Sequence, residues 1–262
     1  MTAVVIENMP NAEYHASPAI SKSGLDKIEK SPAHYFYSEP EKTKALIIGS
    51  AFHDLVLLPD VFEKNYIVKP EGLNLSTKEG KSWKANAESE GKEIISHEDF
   101  QQINAMKESV FAHHAASKLL SSGKPEVSIF WEDEIGVDCR CRPDFINDNQ
   151  IIVDLKTTTD ASPEGFAKSV ANFRYHVQDA YYSYGFKQAF GYPPKGFVFI
   201  AVEKDPPYAV GVYTLNDEAK LEGEIRFRAN LETYKEALER NVWDAFSQKI
   251  ETLSLPNWAF KS

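Results

Sequence analysis

The stretch Ile151-Ile152-Val153-Asp154-Leu155-Lys156 constrains this chain more than any other. It reads as a buried β-strand, an apolar run carrying a carboxylate and an ammonium two residues apart. Strand side chains alternate in direction, so Asp154 and Lys156 share one face while Val153 and Leu155 point to the other. Buried charge is costly unless it is paired or bound to a cation. Arg142-Pro143-Asp144 stands just upstream and adds a second carboxylate. Two carboxylates and a lysine around one strand can hold Mg²⁺ and can orient or deprotonate an attacking water. The same Asp-x-Lys pair, taken alone, is also a common structural ion pair, so the rest of the chain must decide.

The residues around this strand predict a sheet. Glu126 to Trp131 reads as a strand, and Glu134-Ile135-Gly136 as a turn. Val137 to Arg142 alternates, with Val137, Cys139 and Cys141 on one face and Asp138, Arg140 and Arg142 on the other, which completes a hairpin. The strand 151–155 follows an Asn147-Asp148-Asn149 turn. Three strands in series would bring Glu126, Asp144 and Asp154 toward one edge. A helix over 173–190 places Gln178 and Tyr182, four apart, on one face. Gln178 lies among Val177, Ala180 and Tyr181 and needs a polar partner. Strands over 197–202 and 209–215 come next. A long helix over 216–248 has Leu221, Ile225, Phe227, Leu231, Tyr234 and Leu238 as its apolar positions. The apolar tail 253–258 reads as a docking segment, with Trp258 suited to a subunit contact.

The first part of the chain is mainly helical. Ser21 or Ser23 caps a helix that begins its stripe with Leu25 and Ile28. Ser31-Pro32 starts another. A helix N-terminus with free N–H groups and hydroxyls is also a phosphate site, so Ser21 and Ser23 either cap only or also touch phosphate. His53 sits in an apolar helix over 49–58 that stops at Pro59. It is either a structural histidine or, if the fold aims it at Asp144 and Asp154, a ligand. Residues 70–92 read as an exposed, mobile polar segment with room for a short helix, whose lysines either stay solvated or contact a nucleic-acid backbone. Ser96 and Asp99 resemble a capping box at the start of a further helix, and His113-His114 suits that helix's C-terminus better than a metal.

A length of 262 residues fits one domain over 1–262, mainly helical in 1–120 and sheet-containing in 121–262. The two cysteines, Cys139 and Cys141, lie two apart on one strand, a poor geometry for a disulfide. They read as reduced core residues of a cytoplasmic protein rather than metal ligands. No run is long and apolar enough to span a membrane, and the N-terminus lacks a basic region followed by an apolar one. The net charge of −10 excludes a uniformly basic nucleic-acid surface and leaves room only for a local basic track. No Gly-x-x-x-x-Gly-Lys-Ser/Thr loop occurs, so ATP is not implied.

Taken together, the blocks resemble the RecB-like branch of the PD-(D/E)XK nucleases, and within it the nuclease domain of RecE-type exonucleases (exodeoxyribonuclease VIII). The blocks are Tyr14-His15, Ile20-Ser21-Lys22-Ser23, Ser31-Pro32, Gly49 to His53, Cys139 to Asp144, Asp154 to Thr158, Tyr175 to Ala180 and Thr252 to Pro256, in that order. The resemblance implies an α/β fold with a restriction-endonuclease-like core, a central mixed sheet flanked by helices, and an N-terminal helical portion. It implies that His53, Asp144, Asp154 and the Leu155 carbonyl bind metal, that Lys156 is the catalytic lysine, and that Gln178 and Tyr182 form the Gln-x-x-x-Tyr element beside the scissile phosphate. Glu126 matches a further acidic ligand less well, and an exposed strand-start carboxylate is the other reading. Ser21, Ser23 and Arg142 become candidate DNA contacts. The implied cofactor is Mg²⁺, with Mn²⁺ as a substitute. Some relatives carry an iron–sulfur cluster on four cysteines; here Ser31 stands in one of those places and only two cysteines exist, so no cluster is expected. The implied activity is processive 5′→3′ digestion from ends of double-stranded DNA, leaving 3′ single strands for recombination. A homo-oligomeric ring and a single-strand annealing protein are the implied partners. An endonuclease on the same fold, or a non-catalytic DNA-binding or assembly protein, are the alternatives.

Overall fold

Short polar side chains start most helices of the N-terminal part. The computed structural model describes residues 3–39 and 43–260, with the side chains of residues 257 and 258, and so the contact expected of Trp258, outside that description. Strand β1 (Val4–Ile6) and helix α1 (Asn11–Ala16) lead to α2 (Lys22–Lys30) and α3 (Pro32–Phe36). The Ser21 hydroxyl accepts from the Gly24 amide at 3.3 Å, and the Ser31 hydroxyl from the His34 amide at 3.2 Å. Helix α4 (Lys44–Leu57) begins earlier than Gly49, because Thr43 caps it. Pro59 does not simply stop the chain there. It opens α5 (Pro59–Asn65), where its missing N–H costs nothing. After β2 (Tyr66–Val68), Thr77 caps α6 (Lys78–Ser89) inside the segment expected to be exposed and polar. Strand β3 (Glu93–Ile95) pairs with β2, and Ser96 caps α7 (His97–Ala112) with a reciprocal bond to Asp99. His113 ends α7 and caps α8 (His114–Leu119).

The remaining chain builds two sheets joined by one bent hairpin. Its first arm is β4 (Gly123–Pro125) and β5 (Ser128–Glu132), and its second is β6 (Asp138–Cys141) and β7 (Phe145–Asn147). Strand β5 pairs with β6 and β1 in a three-stranded sheet, while β4 pairs with β7 in a five-stranded one. The arms change sheets together, at Glu126 and at Arg142-Pro143-Asp144. Glu126 adopts a left-handed backbone (φ 51°) and donates its amide to the Asp144 carbonyl at 3.0 Å. Proline on the other arm has no N–H to continue a ladder. The expected simple series of three strands is thus split between sheets, yet the bend still brings Glu126 beside Asp144.

Strand β8 (Ile151–Thr158) follows β7 antiparallel. Helices α9 (Pro163–Asn172) and α10 (Tyr175–Phe190) then cross over to β9 (Gly196–Glu203), which pairs parallel to β8, and β10 (Val210–Tyr213) closes the order β10-β9-β8-β7-β4. Two apolar layers cover the sheet. Val153 and Leu155 pack with Phe52, Leu55, Ile103 and Met106 of α4 and α7. Ile152 packs on the other face with Phe166 of α9 and Phe186 of α10. Asp154 and Lys156 follow Ile152 onto that second face. Helix α11 (Asp217–Arg240) lies against α10 and ends at Asn241, well before the expected 248. It buries Phe227, Leu231 and Tyr234 as expected, but Leu221, Ile225 and Leu238 are exposed. Gly223, Asn230 and Ala237 fill the rest of the buried stripe, and at Gly223 α11 comes so close to the His176 carbonyl of α10 that a side chain would not fit. Leu253 and Leu255 of the tail are exposed. Among the described residues, no helix is long and apolar enough to cross a membrane.

Candidate active site

The hairpin bend, the middle of β8 and the start of α10 meet at one place. Asp144 is the last residue before β7, and its Oδ2 accepts the Leu155 amide at 2.7 Å. That bond anchors the carboxylate to β8 where the short β7 ladder has ended. His53 reaches Asp144 from α4, with Nδ1 3.4 Å from Oδ2. Glu126 completes a group in which one ligand atom from each of His53, Glu126 and Asp144 lies within 4.8 Å of the others. None of the three is fully buried. Burial and the Asp144 charge push the Glu126 carboxyl up to about 8. Crowded carboxylates with one imidazole form a donor set that fits a hard divalent ion such as Mg²⁺ or Mn²⁺, which would relieve their repulsion.

Asp154 has a different environment. It is fully buried, and one oxygen faces the Lys156 ammonium in a close ion pair while the other accepts from Gln178 Nε2. Burial raises its carboxyl to about 6, although Lys156 pulls the other way. Burial also opposes the charge on Lys156, but the Asp154 and Asp144 carboxylates outweigh it and raise that ammonium's pKa. Lys156 Nζ lies 4.9 Å from the centre of the Tyr175 ring. Gln178 therefore has the polar partner its apolar surroundings demand, and that partner is a site carboxylate.

The other candidate residues fall as follows. Leu155 donates its amide to Asp144, a contact separate from the role expected of its carbonyl. Tyr182 is half-buried, and its phenol is raised by burial first and by charges that include Asp154 and Asp144. Ser21 caps α2 and its hydroxyl lies 3.0 Å from that of exposed Ser23. Arg142, expected to face DNA, is buried. Its Nε donates to Ser128 Oγ at 2.8 Å, its Nη2 to the Met9 carbonyl at 3.2 Å, and its guanidinium lies 4.0 Å from the Tyr14 ring centre. It lies 3.8 Å from Glu126 Oε2 and steadies that carboxylate from inside the protein. Sequence reasoning gave no role to Tyr14, Lys22 or Tyr175, which also line this region. One signal existed for Tyr175, which precedes Gln178 by three residues and so shares its helix face.

A strand with Asp-x-Lys, an upstream carboxylate at the start of the neighbouring strand and flanking helices define the PD-(D/E)XK class of α/β fold. The chain belongs to a family of that class, the PDDEXK-like domain of unknown function DUF3799, whose model matches residues 21–256. It is similar in fold to the crystal structure of a "putative exonuclease" from Eubacterium rectale, with 16% identity, a TM-score of 0.62 and 96% of each chain covered. A second solved structure, of SSO0001, is 15% identical over 78% of this chain and 89% of that one, with a TM-score of 0.32. No curated protein matches. These findings reach the PD-(D/E)XK level and do not single out the RecE-type branch.

Proposed function

We propose that the chain is a divalent-metal-dependent nuclease and, more narrowly, a Mg²⁺-dependent exonuclease of linear double-stranded DNA. The observation that carries this reading is the His53–Glu126–Asp144 donor set standing against the Asp154–Lys156–Gln178 group at one bend. His53, Glu126 and Asp144 would hold the ion, with Asp154 as the adjoining carboxylate. When bound, the ion supplies Lewis-acid polarisation of the scissile phosphate and stabilises the leaving oxygen. Lys156, kept charged by Asp154, orients the attacking water. Gln178 fixes Asp154 by a hydrogen bond, and Tyr182 lies beside the reacting phosphate. Ser21 and Ser23 at the start of α2 offer hydroxyls to the DNA backbone.

The whole chain, 1–262, acts in this reading as one nuclease unit. The RecE-type resemblance supports processive 5′→3′ digestion that leaves 3′ single strands for recombination, a ring-like homo-oligomer and a single-strand annealing partner. The test is digestion of linear duplex DNA labelled at its 5′ or 3′ end, with Mg²⁺ or with EDTA, beside a closed circle. Early Mg²⁺-dependent release of the 5′ label with the circle intact is the expected result. A cut circle would make the enzyme an endonuclease, and no cleavage of either DNA would remove the nuclease reading.

A further inference from the structure

Lys22 is a lysine that water hardly reaches, 9% exposed, at the first turn of α2 between the two serines. Its Nζ donates to the Phe173 carbonyl at 2.8 Å and pairs with Asp26 at 2.8 Å. Phe173 closes α9, and the next residue, Arg174, bends the chain through a left-handed conformation (φ 55°, ψ 42°) into α10. That strained turn is locked from α2 and α11, because the Arg174 guanidinium binds Asp26 and Glu29 at 3.2 Å and Asn230 at 2.6 Å. Tyr175 begins α10 there, with its ring stacked on Phe199 of β9 at 5.8 Å. Both lysines approach this ring, Lys156 at 4.9 Å and Lys22 at 5.9 Å. Burial disfavours the Lys22 ammonium, Asp26 supports it, and Lys156 repels it, so the two cations beside the ring feel one another.

A buried lysine that spends its hydrogen bonds on a backbone carbonyl and a helix-mate is poorly placed to bind substrate. It is well placed to set the α9–α10 junction. We propose that Lys22 is a positioning residue for Lys156, acting through the Phe173 carbonyl and the Tyr175 ring. The Tyr175 face limits where the Lys156 side chain can lie, and the Lys22 strut fixes that face. The catalytic consequence rests on the nuclease reading above, whereas the placement of Lys156 does not.

Four variants test the strut: Lys22→Met, Lys22→Arg, Tyr175→Phe and Tyr175→Leu. NMR of the full chain labelled with ¹³C at lysine Cε follows Lys156, whose signal is assigned by Lys156→Met. The Tyr175 ring current should shift the Lys156 ε-methylene protons upfield. Lys22→Met and Tyr175→Leu should move them toward the free-lysine position, Lys22→Arg should restore them, and Tyr175→Phe should keep them. An unmoved Lys156 signal in Lys22→Met overturns the proposal, whatever happens to the melting temperature. In the end-label assay, Lys22→Met should lower kcat about 10–100-fold, with KM changed by less than about threefold. Adding Tyr175→Leu to it should cost little more, since the two act as one unit. A raised KM with unchanged kcat and a shallower salt dependence would make Lys22 a phosphate contact and overturn the proposal. Should the unaltered chain cleave no DNA, the nuclease reading falls, and the Lys156 signal still decides the strut.

Discussion

His53, Glu126 and Asp144 are partly open to solvent and bring two carboxylates together with one imidazole, whereas Asp154 lies fully buried with a partner for each oxygen. The first group is electrostatically unfinished and invites a cation. The second is finished by Lys156 and Gln178 and resists change. The difference follows from position. The open group forms where the hairpin bends between sheets and backbone pairing lapses. The closed group sits in mid-strand, with α10 packed over it. One site thus joins an open group of donors with a closed, fully paired one.

Removing a carboxylate from the open half should have the largest effect on activity. Asp144→Asn keeps an acceptor for the Leu155 amide, so the fold should survive, while Mg²⁺-dependent cleavage should fall to background; a normally active variant would show that the open half holds no essential cation. In the closed half, Lys156→Met leaves the Asp154 charge buried without its cation. Urea unfolding should show a loss of about 3 kcal/mol. Most of that should return in the double variant with Asp154→Asn, although neither protein should cleave DNA. If Lys156→Met unfolds like the unaltered chain, the closed half is not closed.

His53→Ala should act only on the open half. Isothermal titration calorimetry should find divalent-ion affinity lowered roughly 10–100-fold, with the unfolding midpoint little changed. Unaltered affinity would reduce His53 to a helix residue. The smallest effect concerns pH. Folded Glu126 titrates near 8, above the ordinary carboxyl value of 4.5, so between those values the folded chain binds more protons than the unfolded one. Its contribution to stability is therefore present at the acid end and lost as pH rises through about 8. Metal-free protein should melt at falling temperature across that window. Mg²⁺ or Glu126→Gln should flatten the slope, and a flat slope without either would show that the open half is not crowded.

Much of this was legible in local sequence. Period-two alternation put Asp154 and Lys156 on one strand face, and Ser21, Ser31 and Ser96 marked helix starts, because both signals depend on neighbours in the chain. Gln178 announced its need for a partner by standing among apolar residues. The same reasoning failed where the decision was non-local. Arg142 alternates outward in its strand, yet that face is covered by Tyr14 and Met9 from the N-terminal segment. In α11, Leu221 and Ile225 are as apolar as Leu231, but the buried stripe is the one that carries Gly223, where α11 meets the His176 carbonyl of α10 too closely for a side chain.

The sequence by itself determined the charged strand, the helix caps and the set of residue types that suits a divalent ion, since each is fixed by residues a few positions apart. Only the tertiary structure decided which carboxylate joins His53 and Glu126, and which pairs with lysine instead. It also decided that Lys22 and Tyr175 belong beside the site. Those outcomes depend on where a bent hairpin changes sheets and on how α2, α4 and α10 pack around β8, distances that no local pattern along the chain encodes.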